Sequence, residues 1–316
     1  IYTKSDRVKN AQEGALEFLL MNHPLDCPIC DQGGECDLQD QSMAFGYGSS
    51  RFDGDKRAVE SKDMGPFIKT EMTRCIHCTR CVRFSSEISG NDEIGSIGRG
   101  HDMEITTYLN QAVESELSGN VIDLCPVGAL TSKPYAFSAT PWEINKTEAI
   151  DIMDAMGSNI RIDSKGLRVM RVLPRLNEDI NEEWITDKTR FFWDGLNNQR
   201  IDKPYKRVDG ILKPTSWKSA LELAKEKISN SKSEKISALS GDLVDIETVY
   251  ALKKLMKNIG SDNFDCRQDG SRISGPPERW LFNSTFNGIE DSDGCLIIGS
   301  DIRLSLIHIS EPTRLR

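Results

Sequence analysis

The sequence contains no long apolar run. A helix needs roughly 18–20 consecutive apolar residues to span a bilayer. The longest candidates here, Leu16–Met21 and Cys295–Ile298, have the length of core segments. A membrane-spanning helix is therefore excluded, and any association of this chain with a membrane has to be indirect.

Positive charge is also scarce. Lys and Arg number 40 against 49 Asp and Glu, which gives a net charge of −9 at pH 7, and the basic residues are interspersed with acidic ones. Binding to nucleic acid requires a basic face that neutralises phosphates. The sequence offers none, so nucleic acid is excluded as a partner.

The motifs of common active sites are missing as well. The chain has neither a phosphate-binding P-loop nor a dinucleotide-binding GxGxxG loop. Its four histidines form no recognisable set with a nucleophilic serine and an aspartate. His101 and His308 have no neighbouring ligand residues. We therefore predict no catalytic residue and no independent substrate site in this chain.

The sequence is instead rich in clustered cysteine. Seven of the nine cysteines lie between Cys27 and Cys125. An odd total and tight spacings in a long chain are not typical of a secreted disulfide scaffold. Clustered thiols in a reducing compartment indicate metal ligands. Cys295, outside the cluster, heads an apolar segment and is predicted to be a buried core thiol.

The first group of candidate ligands has the pattern H-x3-C-x2-C-x5-C, within a stretch, 26–40, whose lack of apolar periodicity predicts a loop. Three thiolates and one imidazole converge on one centre only if this loop doubles back, and Gly33 and Gly34 give the backbone that freedom. The spacing fits either a [4Fe–4S] cluster with an unusual histidine ligand or a structural Zn²⁺ ion. We call this group the first site: His23, Cys27, Cys30 and Cys36.

The second group is more specific. Three cysteines in a C-x2-C-x2-C run hold three corners of a cubane, and a remote cysteine followed by proline supplies the fourth. Structural zinc normally uses two separated CxxC pairs, so this pattern predicts a [4Fe–4S] cluster. His77 lies inside the run but is surplus to the ligand set, and Arg80 and Arg83 either offset the cluster charge or lie on a solvated face. We call this group the second site: Cys75, Cys78, Cys81 and Cys125.

From Trp142 onward the pattern changes. Apolar and polar residues alternate on both sides of a Ser-Lys-Gly turn and predict a hairpin over 159–173. Helical and strand patterns then alternate, which indicates a parallel α/β layer. The predicted elements are helices over 216–228 and 245–259 and strands over 235–240 and 295–299.

Five stretches of the chain, three of which hold the predicted ligands, resemble a known family. They are similar to the large iron–sulfur subunit of complex I, the respiratory NADH:ubiquinone oxidoreductase, of the mitochondrial or alphaproteobacterial type. The resemblance is densest over residues 7–200 and continues more loosely to about 303. The runs that carry it are His23–Gln41, Met72–Ser86, Gly98–Met103, Ser115–Phe137 and Thr186–Arg190.

This resemblance implies a function, a ligand set and cofactors. The first site takes the places of the family's histidine-ligated [4Fe–4S] cluster, and the second site takes those of its all-cysteine [4Fe–4S] cluster. The subunit relays electrons from NADH and flavin toward ubiquinone, as part of a proton-translocating enzyme. The family also implies a [2Fe–2S] cluster in a domain preceding Ile1, and no molybdenum. Residues 126–265 contain no cysteine, so we expect no further cluster there.

The resemblance also implies partners and a location. The expected partners are the other subunits of the peripheral arm, namely the flavin- and NADH-binding subunit and the quinone-proximal iron–sulfur subunits. The arm lies on the matrix side of the mitochondrial inner membrane, or on the cytoplasmic side of a bacterial membrane. Contact with the membrane is then only through the complex.

The expected fold class is multidomain, α+β followed by α/β. A loop-rich, ferredoxin-like [4Fe–4S] region precedes a truncated α/β domain similar to that of molybdopterin oxidoreductases. The expected domains are 1–50 with the first site, 51–140 with the second site, 141–200 without a cluster, 201–303 as the start of the α/β domain, and an atypical tail at 304–316.

Two alternatives stay open. NAD-linked formate dehydrogenases and hydrogenase modules carry a similar N-terminal array of clusters, but a molybdenum site needs cysteines that the α/β half lacks. The other alternative is a non-redox binding module held together by two zinc ions, which predicts a colourless protein.

Overall fold

The computed structural model describes residues 2–153, 156–198, 200–241, 243–266, 274–279 and 281–298. The chain divides into two compact units. One contains the residues up to Asp194 and those described from Glu290 onward, and the other runs from Gly195 to Ile289. The predicted tail at 304–316, with His308, lies outside the described residues.

Side-chain caps explain where the longer helices begin. Ser5, Ser216 and Asp245 each accept a hydrogen bond from the backbone N–H three residues further on, which satisfies a donor that the first turn leaves free. The two helices predicted beyond residue 216 are confirmed. The α-helices are α1 Asp6–Leu20, α2 Asp37–Phe45, α3 Arg80–Arg83, α4 Asn120–Leu124, α5 Asp187–Phe191, α6 Trp217–Ser229, α7 Ile246–Ile259 and α8 Phe286–Glu290.

The strands form several small sheets. The pairs β1–β4, β2–β3 and β8–β9 are antiparallel, as is the three-stranded sheet β5–β6–β7, and β10–β11 is parallel. The strands are β1 Ile68–Thr70, β2 Ile94–Ile97, β3 Glu104–Thr107, β4 Leu130–Ser132, β5 Asn145–Ile150, β6 Asn159–Lys165, β7 Arg168–Pro174, β8 Tyr205–Val208, β9 Ile211–Pro214, β10 Ala238–Leu239 and β11 Phe264–Asp265.

The hairpin predicted over 159–173 is confirmed as β6 and β7. Lys165 faces Arg168 across the turn, where Gly166 has a φ of 61°, a left-handed value that glycine adopts without steric cost. The structure adds β5 to this sheet, a strand that the sequence did not lead us to predict.

In the second unit, the described residues form one parallel pair of strands where the sequence predicts a parallel α/β layer. The parallel strands β10 and β11 are separated in the chain by α7, as a strand–helix–strand unit requires. The strand predicted over 235–240 is shorter than expected, because a 3-10 turn at Ser233–Lys235 precedes it and β11 offers only two residues for pairing.

Two further predictions are wrong. Residues 295–298 form no strand, and Gly299 lies outside the described residues. No strand in the described ranges pairs with this segment, and Cys295 is exposed rather than buried. The stretch 26–40 is also not a loop throughout, because α2 begins at Asp37 directly after Cys36.

The main core lies in the first unit, around the cysteine-rich segments. Met64, Ile68, Ile105, Val121 and Val127 are each about 1% exposed. Cys125 belongs to this core, and Cys36, Cys75 and Cys81 pack against it.

Across the described ranges, no helix has the length and apolarity that a bilayer crossing needs.

Candidate metal centres

The pairing of two short strands assembles the second site. The 3-10 turn Met72–Arg74 follows β1 and is capped by Cys75, and β4 follows Cys125 along the chain. Ile68 of β1 lies opposite Ser132 of β4 in the antiparallel register. This pairing returns the remote cysteine to the C-x2-C-x2-C run, which is why a ligand so far downstream completes the set.

The loop of the second site bends through two left-handed residues. His77 has a φ of 54° and Thr79 a φ of 58°, values that are uncommon outside glycine and that concentrate at functional sites. The bend directs the backbone N–H of His77 to Cys75 Sγ, at 3.4 Å. Backbone N–H donors of this kind stabilise the sulfurs of a metal cluster.

The four thiols of the second site line a single cavity, whose walls also include Met72, Ile105 and Leu130. The pKa of Cys81 is raised to about 12 and that of Cys125 to about 11. Burial is the main cause for both, neighbouring thiols add to it, and backbone N–H groups oppose it. Such thiols become thiolate ligands when a metal centre compensates their charge. The cavity is therefore suited to a metal group bound by four cysteines.

Of the other polar residues of this loop, Arg80 lines the cavity, whereas His77 and Arg83 do not. The His77 ring interacts with the backbone of Met103, and burial, more than the nearby Arg57, lowers its pKa. Arg80 lines the cavity, but its guanidinium is half-exposed and lies 3.5 Å from the exposed Asp37 carboxylate.

The loop of the first site is folded by its own backbone. Cys27 begins a 3-10 turn, and Gly33 N–H donates to the carbonyl of Cys30 at 2.9 Å. Cys36 occupies the N-cap of α2. Burial is the main cause that raises the pKa of Cys36. The N–H groups of Gln39 and Leu38 oppose it, whereas the thiols of Cys30 and Cys27 add to it. The three thiols of this site are therefore within electrostatic reach of one another.

His23 follows α1 and is half-buried. Burial is the main cause that lowers its pKa, and the cations Lys56 and Arg74 lower it further. Asp26 and a hydrogen bond with the Arg74 backbone oppose this shift. Its Nδ1 atom is buried and has no hydrogen-bond partner among the described residues. A neutral imidazole with an unpaired nitrogen is the form in which histidine binds a metal.

A [4Fe–4S] cluster fits these two arrangements. In the part of the chain that the structure describes, no three His, Cys, Asp or Glu side chains stand close enough to coordinate one metal ion. A single Zn²⁺ draws thiolate sulfurs to about 2.3 Å from the metal, whereas a four-iron cluster is a larger group enclosed by its ligands. Two observations fit a four-iron cluster: the cavity of the second site and the unpaired His23 Nδ1 of the first site.

The segment after Cys125 touches the first site. The Cys36 thiol donates to the carbonyl of Pro126 at 3.5 Å. A Cβ atom placed on Gly128 would lie only 2.1 Å from Cys30 Sγ, so only glycine allows this approach. The contacts of Pro126 and Gly128 with the first site were not predicted, although both residues closely follow the predicted ligand Cys125, and that position is the signal that could have found them.

A buried charge network attaches the first site to the three-stranded sheet. Glu35, the residue before Cys36, accepts hydrogen bonds from Arg171 of β7 at 2.6 and 2.8 Å. Arg171 also donates to Asp163 at 2.8 Å, and the Asp163 side chain is fully buried. A charge-assisted network of this kind fixes the orientation of the groups it joins.

A second network fastens α4, the helix that leads to Cys125. The Asp187 carboxylate at the start of α5 accepts hydrogen bonds from Ser118 Oγ at 2.5 Å and Gly119 N at 2.7 Å. Burial raises the pKa of Asp187 to about 6, although these donors and Arg190 oppose the shift. Arg190 in turn binds the Asp123 carboxylate at 2.5 and 3.1 Å.

Family models match almost the whole chain in consecutive segments. Residues 12–51 match the NADH-ubiquinone oxidoreductase-G iron-sulfur binding region, and residues 65–131 match the ferredoxin-like domain of NADH-quinone oxidoreductase subunit 3. Residues 144–194 match the NADH-ubiquinone oxidoreductase NDSU1/NuoG-like 4Fe-4S domain, and residues 200–308 match molybdopterin oxidoreductase. These matches confirm the expected order of ferredoxin-like and molybdopterin-oxidoreductase-like regions.

Two curated proteins illustrate the similarity to individual sequences. The NADH-quinone oxidoreductase G subunit of Rickettsia felis is 54% identical over 304 residues, which are 96% of this chain and 45% of that protein. The mitochondrial NADH dehydrogenase [ubiquinone] iron-sulfur protein 1 of Solanum tuberosum is 55% identical over 312 residues, 98% of this chain and 42% of that protein. The chain thus spans a little under half the length of these relatives.

Among solved structures, an NAD+-reducing [NiFe]-hydrogenase in the H2-reduced state is similar to part of the chain. The sequence identity is 28%, the TM-score is 0.39, and the match covers 43% of this chain and 59% of that one. A likeness of this size supports no choice between functions.

Proposed function

This chain is a homologue of the NADH-quinone oxidoreductase G subunit and of the mitochondrial iron–sulfur protein 1, and from that homology we propose that it is an electron-transfer subunit of complex I. In this role it passes electrons that enter from NADH and flavin toward ubiquinone. The observation that carries the proposal is the contact between the two sites: Pro126 and Gly128, which follow the second-site ligand Cys125, touch Cys36 and Cys30 of the first.

The proposed ligands are the residues of the two sites. His23 Nδ1, Cys27, Cys30 and Cys36 hold one [4Fe–4S] cluster, and Cys75, Cys78, Cys81 and Cys125 hold the other. When bound, such a cluster supplies one-electron redox chemistry at a potential that depends on ligand type, hydrogen bonds and burial. The chain gives the two clusters different surroundings. The first site has an imidazole ligand and an exposed Cys27, and the second site has a buried Cys125.

The proposed cofactor set contains two [4Fe–4S] clusters and no molybdenum. Residues 144–194 match a family model named for a 4Fe-4S domain, yet no cysteine lies between Cys125 and Cys266. A cluster in that region has no thiolate ligands, so we assign none. The region that matches molybdopterin oxidoreductase, residues 200–308, then serves as a scaffold.

The proposed setting is the peripheral arm of the complex. The partners are the flavin- and NADH-binding subunit and the quinone-proximal iron–sulfur subunits, on the matrix side of the mitochondrial inner membrane or the cytoplasmic side of a bacterial one. We propose domain boundaries near residues 50, 140, 200 and 303.

The test is to purify the chain under anaerobic conditions and to record its visible spectrum with an iron, sulfide, zinc and molybdenum count. Two [4Fe–4S] clusters predict a brown protein with about eight irons and broad visible absorption. A colourless protein with two zinc ions contradicts electron transfer and leaves a zinc-stabilised scaffold. Molybdenum in the preparation contradicts the scaffold role of the α/β half.

The histidine ligand is tested separately with His23→Ala. We expect the first cluster to be lost or altered while the second is retained, because His23 contributes only to the first site. EPR spectra of the reduced protein distinguish the two signals. His101→Ala, at an exposed position, is the matched control. An EPR spectrum of His23→Ala identical to that of the parent contradicts the assignment.

A further inference from the structure

Arg74 lies between the two sites. It directly precedes Cys75, the first ligand of the second site, while its side chain extends toward the first site. Arg74 is only 5% exposed. Its Nε and Nη2 atoms each lie 2.9 Å from Asp26 Oδ2, and Nη1 donates to the carbonyl of Gly128 at 3.5 Å.

The neighbours of this guanidinium are parts of the first site. Asp26 precedes the ligand Cys27, Gly128 lies against Cys30 Sγ, and the His23 ring meets the Arg74 backbone. The guanidinium is thus a buried positive charge among the first-site ligands, on a residue whose backbone continues into the second site.

Stability alone does not account for a charge at this position. Burying both members of an ion pair costs about as much free energy as their attraction returns, so apolar residues of similar volume often serve equally well. The Asp26 side chain is also 35% exposed, so water partly screens the negative partner while the positive one is buried.

We propose that Arg74 sets the reduction potential of the cluster at the first site and thereby the distribution of an electron between the two clusters. The inference rests on the proposed function. Reduction adds one electron and no proton to a cluster, so the group becomes more negative by one charge. A nearby cation stabilises the added charge, and low-dielectric surroundings strengthen the effect. Arg74 therefore raises the potential of the first site more than that of the second.

The experiment is a redox titration of the intact, cluster-loaded chain, followed by EPR of both clusters. In Arg74→Gln the midpoint potential of the first cluster is expected to shift downward, by more than that of the second cluster. Arg74→Lys keeps the charge and should restore most of the midpoint. Asp26→Asn removes the opposing negative charge and should shift the first midpoint upward.

Arg51→Gln is the matched control, because it removes the same charge from an Arg–Glu pair whose Arg51 side chain is 77% exposed, and it should leave both midpoints in place. Unchanged midpoints in Arg74→Gln with full iron content overturn the inference, as does an equal shift in Arg74→Lys. If Arg74→Gln fails to hold the first cluster, Asp26→Asn decides: an upward shift supports the inference, and no shift overturns it. A parent chain without clusters contradicts the proposed function instead.

Discussion

The two candidate sites are built on different physical principles. The second site is part of the hydrophobic core, since Cys125 is 9% exposed and Cys75 and Cys81 pack against the same core. The first site lies at the edge of that core, where Cys36 packs against it but Cys27 is exposed. Apolar burial and strand pairing assemble the second site, whereas charged and polar contacts hold the first.

This difference teaches how each site depends on the rest of the fold. The strands that assemble the second site also form the core, so folding of this region and closure of the site are coupled. The first site is attached through Glu35 to Arg171 and through Asp26 to Arg74. Changes at the second site should therefore disturb the whole unit, and changes at the first site should remain local.

The largest expected effect comes from Cys125→Ser. The variant should lose the second cluster and also the folded core around it, because a buried metal ligand contributes its binding free energy to folding. Cys27→Ser, the counterpart at the exposed ligand, should lose only the first cluster and keep the fold. Iron content, EPR and the thermal midpoint of unfolding measure both outcomes. Equal destabilisation by the two variants would break the comparison.

A smaller effect is expected at Asp187, which fastens the helix leading to Cys125. Its folded-state pKa is raised from 3.8 to about 6, so its contribution to stability is full below about pH 4 and is lost as the pH rises through about 6. The shift corresponds to about 3 kcal/mol. Asp187→Asn should therefore gain unfolding free energy relative to the parent as the pH is raised from 4 to 7.

This prediction is checked by urea unfolding at a series of pH values, followed by tryptophan fluorescence. Asn keeps an oxygen that accepts from Gly119 N–H, so the substitution removes the charge and leaves the shape. Parallel pH profiles for variant and parent would show that the Asp187 carboxylate does not titrate as its burial indicates.

The smallest expected effect on stability, and the most selective one on the clusters, comes from Gly128→Ala. The new methyl group lies 2.1 Å from Cys30 Sγ and must displace it, at a cost of about 1–3 kcal/mol. The first cluster should be lost or altered while the second is retained, as EPR can show. Gly95→Ala, with nothing within 4 Å of the new atom, is the control. Loss of the second cluster in Gly128→Ala would contradict the local character of the first site.

Local patterns were predictable wherever chemistry or geometry is encoded in a short stretch. The hairpin over 159–173 follows from alternation around a glycine turn, and α7 follows from Asp245 at its start and apolar residues at helical spacing. The strand predicted over 295–299 failed for the opposite reason. A strand requires a partner for its backbone groups, and an apolar run does not reveal whether one is in place.

The sequence by itself determined the two candidate ligand sets and the similarity to complex I, because thiol and imidazole chemistry and the spacing of ligands are properties of the chain in order. Only the tertiary structure decided that the sites touch, that one is buried and the other lies at an edge, and that Arg74 lies between them. Arg74 meets Gly128 across 54 positions of the chain. Such contacts depend on how β1 and β4 pair and on how the core packs, and no local pattern specifies them.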